Sequence, residues 1–200
     1  EATPNQLEVH TLRFPSTRQL PGHYLKESYR YSCDIYDLLK EKWGEFDFIY
    51  AKGYTAWCLL EKKKRGKHMA PVGVKFHGYE MFQKTSGIKT KLEQFLLRPP
   101  TVFINRHADA IFSYGGVIND IIQRIGVPVE NIITISGGID DHWIADQPHK
   151  THGKRKVLFI GRNEKRKGLE DILAIEDQLM NLPLEFHFVG PIPEDKRIAA

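Results

Sequence analysis

The sequence predicts an α/β fold, in which a Rossmann-like parallel sheet flanked by helices is followed by the first βαβ unit of a second Rossmann-like domain. Three observations support this prediction. Short apolar runs of strand length alternate with longer segments of helical periodicity along the chain. The alternation stops in a polar, His-rich stretch at 140–155 and then restarts. The 200 residues, 41% hydrophobic and 27% charged, have the composition of an ordinary globular protein with a sizeable core.

The first elements follow from local pattern. A strand-like run at 7–14 is closed by Pro15. Segment 21–44 is predicted as one long helix, because its apolar residues recur at helical spacing and Gly44 is a suitable C-terminal stop. The apolar positions are Tyr24, Tyr31, Ile35, Leu38, Leu39 and Trp43. A strand, a helix and a second strand are then predicted at 46–53, 54–65 and 70–78.

The next predicted helix, 88–98, should end before Pro99 and Pro100, because a proline drives the residue before it out of the helical conformation. A strand, a helix and a strand follow at 108–116, 117–126 and 131–138. After the polar stretch the same order returns at 156–161, 167–181 and 184–190. This order predicts an N-terminal Rossmann-like domain, a linker and the beginning of a C-terminal domain, at 1–144, 145–155 and 156–200.

Cysteine usage and hydropathy exclude several classes of protein. Cys33 and Cys58 form no CxxC pair and suggest no disulfide framework, which favours a reduced, cytoplasmic setting. No apolar run approaches the roughly eighteen residues that a membrane span needs. The first residues lack the apolar middle of a signal peptide. We therefore expect a cytoplasmic protein whose membrane contact, if any, is peripheral to the inner face.

Positive charge is concentrated in two runs. The chain carries a net +4, whereas segment 150–168 alone contains eight Lys and Arg against one acid, and segment 61–67 has a net charge of +4. Such runs attract phosphates, nucleic acid or anionic lipid, and composition does not choose among them. Against nucleic acid, Phe159 is the only aromatic residue between 150 and 168, so we expect no nucleic-acid partner.

The cations of the second run lie where a helix should begin. In "KVLFIGRNEKRKGLEDIL" (156–173), a strand, a loop with four cations and an amphipathic helix follow one another. A helix N-terminus carries partial positive charge, so each cation there is unfavourable by a few tenths to about 1 kcal/mol. Either these side chains are simply solvated, or an anion binds among them.

Two common phosphate motifs do not fit this loop. A Walker A loop fails because Gly161 and Gly168 are separated by six residues and Leu169 follows. The G-x-G-x-x-G fingerprint fails because no two glycines of the chain are separated by one residue. A strand, a glycine turn and a helix N-terminus remain, an arrangement that holds anions in α/β proteins. Arg162 offers a planar fork for bidentate phosphate contact, and Lys167 a compact point charge.

The stretch "FIGRNEKRKGLEDIL" resembles the signature that opens the second domain of retaining glycosyltransferases of the GT-B fold, specifically glycosyltransferase family 4. In that family an Arg and a Lys grip the diphosphate of a nucleotide-sugar donor. The resemblance implies that Arg162 and Lys167 bind the donor diphosphate. It assigns no role to Arg166, the adjacent cation.

Two further segments resemble the same family. "VGVKFHGYE" (72–80) is similar to a strand that ends in a His-Gly segment lining the cleft between the domains, which implies that His77 is the catalytic cleft residue beside the reacting sugar and Gly78 lies in the cleft. Glu80 would face the acceptor. Segment 107–144 is similar to the end of the first domain, except that Gly137 replaces the expected Asn. Gly138 and Asp140 are candidate ligand contacts there, and a plain tight turn is the alternative.

The resemblance implies an enzyme that moves a hexose-type sugar, with retention, from a nucleoside-diphosphate sugar to an acceptor. Growing polysaccharide, lipopolysaccharide or a lipid-linked glycan is the acceptor class it suggests, with no cofactor and no metal. The family's paired glutamates and its first strand would lie after Ala200 and before Glu1, so we do not expect these 200 residues to catalyse the reaction alone. Two alternatives stay open: an epimerase or phosphorylase on the same scaffold, and a non-catalytic anion-binding protein.

Overall fold

The computed structural model describes residues 7–16, 22–85, 87–144, 153–162, 167–179 and 181–191. The chain divides into two compact units, Glu1–Gly138 and Ile139–Ala200. Most of the predicted linker, 145–152, lies outside the described residues. The helices are α1 His23–Leu38, α2 Trp57–Lys64, α3 Ile88–His107, α4 Val117–Arg124 and α5 Leu169–Leu179. The strands are β1 Ile49–Lys52, β2 Val72–Lys75, β3 Ala110–Ser113, β4 Ile132–Thr134, β5 Arg155–Ile160 and β6 Leu184–Val189.

The first unit is built on a four-stranded, entirely parallel sheet in the order β1-β2-β3-β4. Each strand is joined to the next by one of the helices α2, α3 and α4. Parallel crossovers are almost always right-handed, so a sheet that grows steadily in one direction receives its connecting helices on one face. The carboxyl ends of all four strands therefore lie along one edge of the sheet. This confirms the predicted α/β class.

The core lies between this sheet and its helices. Val72, Val74 and Ile111 point from the strands into one cluster of buried side chains, together with residues of all three connecting helices. The helix residues are Leu59, Leu60, Ile104, Ile121 and Ile122. A fully buried Leu or Ile typically costs about 2–5 kcal/mol when it is cut back to Ala. This cluster fixes the strands whose ends carry the candidate site.

The opposite face of the sheet is aromatic and partly exposed. Phe48, Tyr50 and Phe112 lie on it, with ring centroids of Phe48 and Tyr50 6.3 and 5.4 Å from that of Phe112. Gly73 lies beneath these rings, and a Cβ there would be 2.5 Å from Phe112 and 2.6 Å from Phe48. A larger side chain at this position would therefore have to displace the rings of Phe48 and Phe112.

The second unit contains a βαβ unit, as predicted. Strands β5 and β6 are parallel and paired from Arg155–Leu184 to Ile160–Val189, and α5 connects them. Phe159 from the strand and Leu169 from the start of the helix are buried. The strand and helix that bound the basic loop are therefore held by their own packing.

Three predicted elements were wrong. Residues 7–16 contain no strand, and Leu7 and Val9 are exposed. Helix α1 ends at Leu38, six residues before Gly44; the chain then turns, and Trp43 packs back by donating Nε1–H to the carbonyl of Tyr36 at 3.1 Å.

Helix α3 does not stop before Pro99 but continues to His107. The carbonyls that the two prolines leave without a helical donor belong to Phe95 and Leu96, on the exposed side of the helix. The residues beyond the prolines, Ile104 above all, are buried and hold the helix in place.

The basic run 61–67 is largely engaged within the first unit. Lys62 lies 5.6 Å from the centre of the Tyr36 ring, and Lys64 lies 5.4 Å from that of Phe103. Lys63 forms an ion pair with Asp109. Three of its five cations therefore contact neighbouring side chains. Among the described helices, none is both long enough and apolar enough to cross a membrane.

Candidate functional site

The basic loop of the second unit begins where β5 ends. Gly161 closes the strand by donating its N–H to the carbonyl of Val189 at 2.9 Å, and Arg162 follows as an exposed side chain. The other two cations of the loop, Lys165 and Arg166, belong to residues 163–166, which lie outside the described residues. Arg162 therefore leaves the carboxyl end of a parallel strand, the edge at which α/β sheets bind ligands.

Lys167 reaches this strand end from the other side of the loop. It is exposed, stands two residues before α5, and its Cβ lies 3.9 Å from the position of a Cβ at Gly161. Gly168 has φ +76°, and its carbonyl accepts the N–H of Ile172 at 3.0 Å as the helix starts. The fold thus brings Lys167 next to the glycine that precedes Arg162. Two cations that are five positions apart in sequence flank one strand end.

Two acidic residues lie at the start of the helix that follows the loop. Glu170 and Asp171 lie in the first turn of α5. Acids are favourable at this end of a helix, whereas Lys167 is not, so they offset part of the cost of the cation. A bound anion would do the same for Arg162 and Lys167 together, since backbone N–H groups and cations would then face one negative charge.

A cavity of about 360 Å³ lies in the first unit at the carboxyl ends of β1 and β2. Three charged side chains and a histidine line it: Lys52, Lys75, Glu80 and His77. Lys52 ends β1 and Lys75 ends β2, and the two are direct partners in the strand register. The remaining lining residues are Tyr24, Gly53, Tyr54, Phe76, Gly78, Met81 and Leu97. The structure therefore brings together three residues predicted from the His-Gly segment.

Tyr114, just beyond the end of β3, is an aromatic neighbour of this cavity's polar groups. The Lys75 ammonium lies 4.1 Å from the centre of its ring, a cation–π contact. The His77 ring stands edge-on to it, with centroids 6.5 Å apart. His77 is exposed beyond the end of β2, so its ring is free to meet a ligand. Tyr114 thus contacts two side chains from the neighbouring strand end.

Glu80 opens a short 3₁₀ turn, Glu80–Phe82, directly after the His-Gly segment. Its carboxylate lies over Gly78, where a Cβ would be 2.5 Å from Oε1. Glycine at 78 therefore leaves room for the carboxylate to occupy this position. Burial raises the pKa of the Tyr54 phenol to about 12, and the negative charge of Glu80 makes a small further contribution in the same direction.

The residue that follows the His-Gly segment, Tyr79, is held by one buried hydrogen-bond network. Tyr79 is 2% exposed and donates its hydroxyl to Oδ1 of Asn105 at 2.7 Å. Asn105, fully buried in α3, donates Nδ2–H to the carbonyl of Thr101 at 2.8 Å. Burial, opposed by the hydrogen bond to Asn105, raises the pKa of Tyr79, so the phenol stays neutral. The residue between Gly78 and Glu80 is therefore locked in place.

We expect Asn105→Ala to lower the free energy of unfolding by about 2–3 kcal/mol, because the Tyr79 hydroxyl would be left buried without a partner. Urea unfolding followed by circular dichroism measures it. Gln123→Ala, an exposed amide on α4, is the matched control and should change stability by less than about 0.5 kcal/mol. Equal effects of the two substitutions would contradict the network.

The other two predicted ligand contacts are Gly138 and Asp140. They lie in an exposed segment without regular structure, and each belongs to a different unit. Neither Gly137 nor Gly138 adopts a positive φ, and a Cβ at either would meet nothing within 4 Å. The conformational freedom expected of this glycine pair is therefore not used. Asp140 lies 4.0 Å from the His142 ring.

Sequence reasoning missed Lys52, Lys75 and Tyr114. Each follows or ends a different strand, so only the sheet register shows that they are neighbours. A second cavity, about 380 Å³, lies between α1 and β1, but apart from Lys52 it is lined by apolar, aromatic and hydroxyl side chains. Within the described residues, no group of three His, Cys, Asp or Glu could hold a metal ion.

No protein-family model matches the sequence, and no curated protein matches it. Solved structures do match. Lipopolysaccharide outer core galactosyltransferase WaaB, in its apo form, has a TM-score of 0.54 and 13% identity over 88% of this chain and 54% of its own. The catalytic domain of starch synthase IV from Arabidopsis thaliana, bound to ADP and acarbose, has a TM-score of 0.53 and 15% identity over 85% of this chain and 48% of its own.

A third match is a protein from Listeria monocytogenes assigned as a UDP-N-acetylglucosamine 2-epimerase. Its TM-score is 0.51, with 12% identity over 92% of this chain and 50% of its own. The chain thus spans about half the length of the structures it matches. At these identities the likeness shows the fold, which is of the GT-B type.

Proposed function

We propose that the protein is a glycosyltransferase that moves a hexose-type sugar from a nucleoside-diphosphate sugar to an acceptor. The observation that carries this proposal is the basic loop: in a GT-B-type fold, Arg162 and Lys167 flank the carboxyl end of β5 at the start of α5. Two of the similar structures support it by their ligand or name, ADP in the starch synthase and a UDP-sugar in the epimerase. We propose the same donor class for this protein.

The chemistry explains why cations are needed. When the bond between the anomeric carbon and the diphosphate breaks, negative charge develops on the β-phosphate oxygen. Positioned cations stabilise that charge more in the transition state than in the ground state, which is the condition for faster reaction. Arg162 would hold the diphosphate with two parallel N–H donors and Lys167 with a point charge. Leaving-group stabilisation of this kind requires no metal ion, and we propose none.

The cavity in the first unit is the proposed place of the reacting sugar and the acceptor. His77 lines this cavity at the ligand-binding edge of the sheet, and its imidazole can donate or accept a hydrogen bond. We propose that His77 contacts the reacting sugar and that Glu80 and Gly78 lie on the acceptor side. Lys52 and Lys75 add positive charge to the same cavity, which suits an acceptor that carries phosphate. No protein nucleophile is assigned, and Gly138 and Asp140 remain proposed ligand contacts.

The finer assignments follow from the family that the sequence resembles. We propose retention of the anomeric configuration, no cofactor, and growing polysaccharide, lipopolysaccharide or a lipid-linked glycan as acceptor. Proton NMR of the product formed from a donor of known configuration tests retention. We propose a cytoplasmic protein that works beside the inner face of the membrane.

We expect His77→Ala to lower kcat/KM of the full-length protein by about 100-fold or more, the usual size of a lost polar contact to the reacting centre. Its affinity for free nucleoside diphosphate should stay the same, since the diphosphate binds the second unit. His68→Ala, an exposed histidine that does not line the cavity, is the matched control and should leave both values unchanged. Full activity of His77→Ala would contradict the proposed role of the cavity.

The match to an epimerase structure supports a second candidate reaction on the same scaffold. An epimerase would convert one nucleotide-sugar into its isomer and would need no acceptor. Incubation with a nucleotide-sugar in the absence of acceptor, followed by chromatography of the sugar nucleotides, separates the two reactions.

A further inference from the structure

The first half of α3 carries an exposed apolar stripe formed by Ile88, Leu92, Phe95 and Leu96, hereafter the α3 stripe. The first three side chains are 88, 54 and 66% exposed. At 3.6 residues per turn, the four fall within about 100° of the helix circumference. Single exposed apolar residues are ordinary on a protein surface, but a contiguous stripe marks an interaction surface.

The rotation of α3 about its axis is fixed by contacts on the other side of the helix. Gln94 is buried and donates Nε2–H to the carbonyl oxygens of Glu80, at 2.7 Å, and Gln83, at 3.2 Å. Arg98 donates Nε–H to the carbonyl of Met81 at 2.7 Å. These bonds tie the helix to the turn that carries Glu80. The α3 stripe therefore keeps its outward orientation.

Lysines border the α3 stripe on both sides. On the helix, Lys91 lies about 40° beyond Phe95 at one edge, and Lys89 lies about 20° beyond Leu96 at the other. Lys84 precedes the helix, and Glu93 is the only acid between 84 and 98. A lysine at such an edge can extend its apolar stem along the stripe and raise its ammonium toward phosphate groups.

From this arrangement we infer that the α3 stripe binds the surface of an anionic lipid bilayer, with its apolar side chains inserted among the lipids and its lysines at the headgroups. Apolar residues flanked by lysines are the pattern of helices that lie in a membrane interface. An anionic bilayer supplies both complementary parts, acyl chains for the stripe and negative charge for the lysines. The inference concerns a surface outside the proposed reaction centre and does not depend on which reaction the protein catalyses.

The other basic run is a weaker candidate for the same contact. In segment 61–67, Lys62, Lys63 and Lys64 already contact Tyr36, Asp109 and Phe103. Helix α2, which carries them, has Cys58, Leu59 and Leu60 buried in the core. The structure therefore places the membrane contact on α3 rather than on the more basic segment.

Co-sedimentation with vesicles tests this inference. The protein should bind vesicles of phosphatidylcholine and phosphatidylglycerol, bind pure phosphatidylcholine weakly, and be released as salt is raised. The double substitution Leu92→Ser/Phe95→Ser should lower the partition coefficient at least about tenfold. Lys89→Gln and Lys91→Gln should each lower it roughly fivefold. Arg65→Gln/Lys67→Gln removes two exposed charges from the other run and should change it less than about twofold.

A thermal melt that matches the unaltered protein shows that each variant is folded, since the replaced side chains are exposed. A second readout is insertion: a polarity-sensitive dye on Phe95→Cys should shift to the blue only with the anionic vesicles. Wild-type binding by the Leu92→Ser/Phe95→Ser variant, or equal losses from the Arg65→Gln/Lys67→Gln control, would overturn the inference. So would a dimer, seen by ultracentrifugation, that Leu92→Ser/Phe95→Ser abolishes while vesicle binding is absent.

Discussion

Replacing Arg162 or Lys167 by Ala should weaken nucleoside-diphosphate binding by about 10- to 100-fold each, and replacing both should weaken it by about 1000-fold. Hydrogen bonds between charged partners contribute about 1.5–3 kcal/mol, and every 1.4 kcal/mol is a tenfold change in affinity. Both side chains flank the strand end at Gly161, so they would contact the same anion. Isothermal titration calorimetry of the full-length protein with UDP, ADP and GDP measures the effect.

Two further variants sharpen this experiment. Arg162→Lys keeps the charge but loses the planar pair of donors, so its affinity should fall between those of the unaltered protein and Arg162→Ala. Lys154→Ala removes an exposed cation just before β5, at the opposite end of the strand, and should bind normally. If Arg162→Ala and Lys167→Ala left nucleotide affinity unchanged but abolished binding to DNA or anionic vesicles, the anion-binding alternative would replace the transferase.

We expect Gly190→Ala to destabilise the second unit by about 2–4 kcal/mol. Gly190 follows β6 with φ +147°, and a Cβ there would overlap the backbone carbonyl oxygen of Gly161. Neither backbone can yield easily, because Gly161 N–H is bonded to the carbonyl of Val189. Overpacking typically costs 1–3 kcal/mol, and a strained backbone conformation adds about 1–3 kcal/mol.

Hydrogen exchange of the β5 and β6 amides measures this change, because it reports on the second unit separately from the first. Nucleotide affinity should fall with it, since the same contact positions the residue before Arg162. Gly137→Ala is the matched control: its Cβ would meet nothing within 4 Å and its φ is not positive, so exchange should be unaltered. Unaltered exchange in Gly190→Ala would show that the two strand ends do not pack in this way.

Periodicity predicted most elements because each strand and helix carries its own hydrophobic pattern. The errors arose where tertiary contacts override local preference. Helix α3 passes through Pro99 because the residues beyond the prolines are buried. Trp43 looked like part of α1, yet its indole bonds back to Tyr36 from a turn. The run at 7–14 has the composition of a strand, but a strand also needs a neighbouring strand to pair with.

The candidate site was partly predictable for a similar reason. His77, Gly78 and Glu80 are close in sequence, so a single segment brought them to one cavity. Lys75 and Tyr114 come from different strands, and only the parallel register makes them neighbours. Gly190 gave no signal in sequence, since its role depends on a backbone oxygen 29 positions earlier in the chain.

The most direct test of the central proposal is a panel of nucleotide-sugars incubated with the full-length protein and a glycan or lipid-linked acceptor, with release of nucleoside diphosphate as the readout. We predict that one donor is consumed, that release requires the acceptor, and that the Arg162→Ala/Lys167→Ala variant releases none. Isomerisation of a nucleotide-sugar without acceptor would reassign the protein as an epimerase. If no nucleotide-sugar is bound or consumed, the proposed function is wrong.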